Sequence, residues 1–363
     1  MRRVGYLMEK MMVLENFIDA ERQLKKNKRK NKRARYISDH AEEYGEHLFE
    51  KVKNGTFQWH KPREATISES YKGKKRNLKI PCLEDQAAQL AWLNIAQPYI
   101  ERRNYFYNCG SIPNAGGKRA IEAVKKWLKD PRYKYAATTD IRKFYETCPH
   151  STIRKGLERI FKDKAFIDYA MGFVSSMSDT GYGIAIGYPV SHWLANVALM
   201  ELDHEMKRKF PKVKMARYMD DVAMASTNRR LLKKAVMYLK SKTESLGMEL
   251  KKWAIYKVKD TGFTFLSFRF FNGYTLMTKG LMVRIARRMK KAKKHLYVHV
   301  ARGLLSYFGI MEYCNSYNFR KKYVYPYVRY ATCIRIVSEY DKRKYEELLT
   351  RYFENMKRST ELT

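Results

Sequence analysis

Two hydrophobic rhythms run along this chain, and the places where one gives way to the other predict a protein of mixed helix and strand. Apolar residues at Leu7, Met11, Leu14 and Ile18 follow a helical spacing, which predicts one amphipathic helix within residues 1–20. The same spacing predicts a buried helix over Leu90–Tyr99, another over Ile153–Ile160, and an amphipathic one over Leu231–Leu246 that Gly247 ends. Ser191 is the predicted N-cap of a helix reaching toward Met206, with Trp193, Val197 and Met200 on one face. Beyond Gly280 an apolar stripe of Ile285, Met289, Ala292 and Leu296 runs beside a cationic stripe of Arg284, Arg287, Arg288, Lys291 and Lys294.

Between these helices the period falls to two. Gly73–Pro81 alternates basic and apolar residues, as a strand does with one face on a core and the other toward a polyanion. Tyr135–Asp140 predicts a strand ending in an acid, and Gly262–Phe270 is strongly β in character. Within Arg217–Ser226 two apolar runs flank adjacent acids, so two short strands meet at a tight turn with Asp220 and Asp221 at its tip. Tyr105–Lys118 reads as a glycine-bearing loop.

Charge narrows what such a chain meets. Among 363 residues, 74 Lys and Arg stand against 37 Asp and Glu, a formal charge of +37. With 14% aromatic residues spread along it, the chain is expected to bind RNA or DNA rather than a membrane. No apolar run approaches the ~20 residues of a membrane span, and the charged N-terminus lacks a signal-peptide core, so a cytoplasmic location is expected. Cys82, Cys109, Cys148, Cys314 and Cys333 are widely spaced and form no Cys-x-x-Cys pair for zinc, which predicts reduced, mostly packing thiols.

Candidate chemistry rests on residues that each admit two readings. Adjacent aspartates are common in turns; held close, they also repel unless a cation lies between them, and Mg²⁺ is the usual oxygen-seeking cation of phosphate chemistry. The run Lys25–Arg33 is either a solvated segment or a sequence-independent phosphate grip. Gly73–Pro81 alone is a basic edge strand, Asn108–Arg119 a glycine-rich connection with two cations behind it, and Lys251 with Lys252 a surface pair.

Taken together and in order, these stretches resemble the motifs of reverse transcriptases. Tyr218, Met219, Asp220 and Asp221 match the family's catalytic hairpin, Tyr135–Tyr145 its strand with the third acid, Gly247–Trp253 its lysine segment and Gly262–Phe270 its primer grip, with Ser267 where glycine is usual. Gly73–Pro81 resembles the fingers hairpin, although Gln86 stands where an Arg often follows Asp85. Ile186, Gly187 and Ser191 resemble the signature of diversity-generating retroelement enzymes, with His192 in place of a glutamine; the segment from Leu304 to Tyr317 resembles one found in the same group.

The resemblance implies an α+β right-hand polymerase with fingers, an antiparallel-sheet palm and a helical thumb. It would be arranged as an N-terminal helix and basic segment (1–70), part of the fingers (71–134), a palm with inserted fingers elements (135–275), and a helical thumb with a C-terminal segment (276–363). It implies two Mg²⁺ ions at Asp140, Asp220 and Asp221, with Ile141 beside them, and an incoming deoxynucleotide held by Lys74, Arg76, Tyr145, Ile186, Gly187 and Lys251 or Lys252. Tyr145 would be the gate against a 2′-hydroxyl. Arg284, Arg287, Arg288, Lys291 and Lys294 would track the RNA–cDNA duplex. Template RNA, primer and deoxynucleoside triphosphates are the implied partners, with a small basic accessory protein and possible oligomers. Group II intron and retron enzymes share the palm, but no maturase extension, endonuclease or retron-specific motif is visible in the sequence, and an antiphage-defence reverse transcriptase is the nearer alternative. A non-catalytic RNA-binding scaffold also fits the charge, but the three intact acids argue against it.

Overall fold

Strand pairing organises the chain. The structure, a computed structural model, describes residues 2–26, 28, 30–69 and 74–360, with side chains described outside 68–76, 348, 349 and 351–360. Arg63–Glu69 (β1) pairs antiparallel with Lys74–Ile80 (β2), Arg63 lying opposite Ile80, so the expected basic strand is one arm of a hairpin. Tyr135–Asp140 (β3), Lys214–Tyr218 (β4), Asp221–Ser226 (β5) and Ala254–Lys257 (β6) form a second sheet in the order β4-β5-β3-β6. Phe263–Phe265 (β7), Phe268–Phe270 (β8) and Thr275–Met277 (β9) form a third, in sequence order.

The chain divides into two compact units, Met1–Ala123 with Lys134–Ile255, and Val124–Tyr133 with Tyr256–Thr363. In the first, the Arg229–Ser245 helix packs on β3 and β5, and the Ser191–Lys209 helix packs against the His150–Ile160 and Leu83–Arg103 helices. Small residues at the centre of the sheet, Ala136, Ala137, Ala216, Ala223 and Ala225, are all buried and let these layers close up. Trp92 anchors the helical core: its ring lies 5.4 Å from those of both Phe166 and Phe173, and its Nε1 donates to the Phe166 carbonyl at 3.1 Å.

In the second unit, Phe263, Phe265, Phe268 and Phe270 are buried while Thr264 and Arg269 between them are exposed. The Lys279–Ala292 helix buries Leu281, Ile285, Met289 and Ala292. The β7–β8 turn places Leu266 at φ 48° and Ser267 at φ 69°. Two left-handed residues make the tight hairpin turn that follows the strands' twist, which is why glycine suits position 267.

Several expected elements differ in extent. The N-terminal helix is two helices, Leu7–Met11 and Leu14–Gln23, separated at an extended Val13. Asp163 accepts from the amides of Leu7 and Met8, each at 2.8 Å, fixing where the first begins; Leu7, Met11 and Ile18 are buried, but Leu14 is 37% exposed. Ser191 is not an N-cap but the first helical residue, and its hydroxyl donates to the Ala185 carbonyl. The helix expected at Leu90–Tyr99 runs from Leu83 to Arg103, and the loop after it ends at Gly116, where the Gly116–Leu128 helix begins. Leu296 and Lys294 lie beyond the end of the Lys279–Ala292 helix.

The run Lys25–Arg33 is partly tied down. Lys25 pairs with Asp39 at 3.2 Å, Lys28 donates to Gln86, and Asn31 caps the Lys32–Asp39 helix by accepting from Ala34. Asn27, Arg29 and Gly73 fall outside the described residues. Among those described, no helix is long and apolar enough to cross a membrane.

Candidate active site

Because β5 lies between β3 and β4, its first residue stands beside both. Asp221 is directly opposite Asp140 on β3 and Tyr218 on β4, and Asp220 precedes it in the two-residue turn Met219-Asp220. All three acids predicted to hold metal therefore gather at one end of one sheet. Directly opposed residues project to the same face, and carboxylates there repel one another until a cation intervenes.

Lys251 supplies one cation. Its Nζ lies 2.6 Å from Asp140 Oδ2. The segment carrying it is stitched to β3 by its main chain: the Lys251 amide donates to the Asp140 carbonyl at 2.8 Å and the Arg142 amide to the Glu249 carbonyl at 2.7 Å. Of the two lysines left open by the sequence, Lys251 is the one beside the acids. Ile141, paired with Leu250 in that bridge, has a buried apolar side chain, so it could meet a cation only through its main chain. Carboxylate oxygens are the hard ligands Mg²⁺ prefers, and the acids with their resident ammonium fit a divalent site.

The turn itself is costly. Met219 has φ 57°, a left-handed conformation that a side-chain-bearing residue rarely adopts. Arg217, on the strand leading in, donates from Nη1 to the Met219 carbonyl at 2.7 Å, and its Nε and Nη2 fork onto Asp203 at 2.8 and 2.6 Å. Both side chains are only 2% exposed. The loop before the Gly116–Leu128 helix closes the other side: Cys109 and Arg217 exchange main-chain bonds with Arg217 and Tyr107, and a Cβ on Gly110 would meet the Met219 nitrogen at 2.4 Å. Asn196 joins the two by donating to the Gly110 carbonyl at 2.8 Å and accepting from Asn108 at 2.9 Å.

Tyr145 lies on the short Phe144–Thr147 helix, and its hydroxyl is 3.0 Å from His192 Nδ1. Burial pushes the His192 imidazole below its usual range, favouring the neutral ring. Ile186 is half-buried, and its carbonyl accepts from the Lys79 amide at 2.9 Å. Gly187 follows at φ 123°, and a Cβ there would meet the Lys79 carbonyl at 2.5 Å. Contact with β2 is thus a sufficient reason for glycine at 187. Lys74 and Arg76 lie on the same strand, their side chains outside the described residues.

Arg287, Arg288 and Lys291 are exposed on the Lys279–Ala292 helix of the second unit, whereas Arg284 is half-buried. Sequence reasoning names none of Asp203, Arg217, Asn108 and Asn196 as a site residue, and marks His192 only as standing in place of a glutamine. A signal existed for the buried pair: Arg217 interrupts an apolar strand, and Asp203 falls three residues after Met200 on the buried helix face. The structure also gathers His60, Cys82 and Asp85, with one potential ligand atom from each within 4.8 Å of the others. Its contacts are internal: Asp85 accepts from the His60 amide at 3.0 Å and meets its Nδ1 at 2.7 Å.

Helices packed on a sheet that carries three acids at one end make an α+β protein with a candidate site for metal-assisted phosphate chemistry. Residues 64–270, more than half of the chain, match the family described as reverse transcriptase (RNA-dependent DNA polymerase), and the chain belongs to that family. It is similar to protein YkfC of Escherichia coli strain K12, 26% identical over 173 residues that cover 45% of each protein. Among solved structures it is similar to telomerase from Candida albicans in complex with a TWJ fragment of telomeric RNA (10% identity, TM-score 0.47, 79% of this chain and 60% of that one). Apo telomerase from Candida tropicalis gives 12% identity and a TM-score of 0.49 over 84% of this chain and 63% of that one. The chain thus matches less than two thirds of the length of each of these relatives.

The Arg217–Asp203 pair generates a stability prediction. Asp203→Ala leaves a buried guanidinium without its carboxylate and should lower unfolding free energy by ~3–5 kcal/mol in urea titrations. Replacing both partners, Arg217→Met with Asp203→Leu, should recover most of that loss while amide exchange at the Met219 turn stays fast. Wild-type stability in Asp203→Ala would show that the pair does not brace the hairpin.

Proposed function

We propose that this chain is an RNA-directed DNA polymerase in which Asp140, Asp220 and Asp221 bind two Mg²⁺ ions for in-line attack of a primer 3′-hydroxyl on a deoxynucleoside triphosphate. The observation that carries this reading is the pairing of Asp140 with Asp221 beside the turn that holds Asp220. Bound there, the ions would lower the barrier by activating the 3′-oxygen and neutralising the triphosphate. Lys251, which meets Asp140 at 2.6 Å, would hand a proton to the departing pyrophosphate. Lys74 and Arg76, on the strand that Ile186 and Gly187 touch, would grip the triphosphate, and Arg287, Arg288 and Lys291 would follow the template–primer backbone.

Asp140→Ala or Asp220→Ala should reduce primer extension with Mg²⁺ by at least a thousandfold while RNA affinity changes less than threefold, because affinity comes mainly from distant cations. Near-normal extension by either variant would remove these residues from the metal site.

Tyr145 is read as the gate beneath the sugar, its hydroxyl steadied by His192. Tyr145→Ala should raise ribonucleotide incorporation roughly tenfold or more, chiefly through a lower KM, on the ~1–3 kcal/mol scale of a pocket-shape change. Unchanged discrimination in steady-state kinetics would place the gate elsewhere.

We further propose error-prone copying of a template RNA in a diversity-generating retroelement, helped by a small basic accessory protein. Support comes from Ile186, an apolar side chain where most of the family carries a glutamine amide that joins the hydrogen bonds around the nascent pair. One such bond is worth ~1 kcal/mol, or roughly fivefold in discrimination. Sequencing cDNA copied from one defined RNA should show errors concentrated opposite adenine, reduced about fivefold in Ile186→Gln. Uniformly accurate synthesis by the native enzyme would refute the retroelement reading and favour an antiphage-defence role, leaving the polymerase reading intact.

A further inference from the structure

Where the connection after the Lys279–Ala292 helix runs into the Val298–Met311 helix, exposed and half-buried residues alternate. His295, Tyr297 and His299 are exposed, while Leu296, Val298 and Val300 are half-buried. His295 and Tyr297 lie in the connection and His299 in the first turn of the helix, and their three rings form a ladder. His295 and Tyr297 lie 5.9 Å apart at 3° between planes, and Tyr297 and His299 lie 5.9 Å apart at 11°. Tyr297 is 60% exposed, so the middle of the ladder faces outward.

Beside the ladder is a cavity of about 700 Å³, within the roughly 300–1,000 Å³ of small-ligand sites. Arg288 and Lys291 line it from one helix, Val300, Leu304 and Tyr307 from the other. Among the described residues no carboxylate lines it. Rings, an apolar floor and two cations in one place match one chemistry: a flat heterocycle stacks on a ring face while its phosphate meets the cations.

We propose that this ladder and cavity form a binding site for an unpaired base of a nucleic-acid strand, with the His295, Tyr297 and His299 rings together as the stacking platform, Tyr297 at its exposed centre, and Arg288 and Lys291 as its phosphate contacts. A base within a duplex has both faces covered by its neighbours, so the site would take a single-stranded segment, such as template outside the duplex. The site is independent of the three acids. It rests on the reading of this helix as a nucleic-acid contact and gives Arg288 and Lys291 to the unpaired part of the strand rather than to the duplex; binding measured without metal or nucleotide separates its failure from failure of the polymerase reading.

The test uses the full chain and fluorescence anisotropy of a labelled single strand, as RNA, as DNA, and with an abasic stretch that keeps the phosphates. Tyr297→Leu should weaken binding of the base-containing strand roughly five- to 150-fold, the range seen when a base loses its ring partner. Tyr297→Phe should restore it, and the abasic strand should not respond to either change. Loss in the RNA arm, the DNA arm or both supports the site and names the strand it takes. An equal loss on the abasic strand, or none on any strand, overturns it. A second measurement needs no variant: ultraviolet crosslinking of the native chain to a uridine-rich strand, mapped by mass spectrometry, should mark the peptide spanning residues 295–299. Crosslinks found only elsewhere, including none because a protein partner covers this face, count against it.

Discussion

A buried guanidinium sets the geometry on which the candidate site depends. Arg217 neutralises Asp203 in the interior and donates from Nη1 to the carbonyl of Met219, the residue that must turn left-handed for β4 to meet β5. Desolvating two charges is expensive, so such a pair is weak evidence of net stability. What it does here is narrower: it ties the turn to the long Ser191–Lys209 helix and so fixes where Asp220 and Asp221 stand relative to the core. A looser hairpin would let two anions drift apart, which is the cheaper arrangement for them.

The acids illustrate the same opposition between charge and position. Sheet register puts Asp140 and Asp221 opposite one another, and repulsion between them is offset by Lys251, delivered by main-chain bonds to β3 rather than by its flexible side chain alone. A divalent cation entering this end of the sheet would compete with the ammonium for Asp140. In the proposed mechanism the displaced lysine would then be near the leaving group.

Contacts between segments distant in sequence set the surroundings. Gly187 packs against the Lys79 carbonyl, so any side chain at 187 would push β2 away from Ile186. Tyr145 and His192 come from two elements and share a hydrogen bond. Neither relation needs a ligand to hold it, so these contacts are formed within the first unit by the chain itself.

Local pattern determined much of this. The alternation of Gly73–Pro81, the acid-ended Tyr135–Asp140 and the apolar runs flanking Asp220 and Asp221 announced β2, β3 and the β4–β5 hairpin, because strand period and turn chemistry are written in adjacent residues. Motif order pointed to the reverse transcriptase family on the same basis. Tertiary structure alone decided which of Lys251 and Lys252 meets Asp140, that Asp203 answers Arg217, that Asp163 sets the start of the first N-terminal helix, and that Lys79 makes Gly187 necessary. Each of these joins residues far apart in the chain, and a hydrogen bond or ion pair between them leaves no periodic mark: the partner is chosen by where packing brings the two backbones, which no single segment encodes.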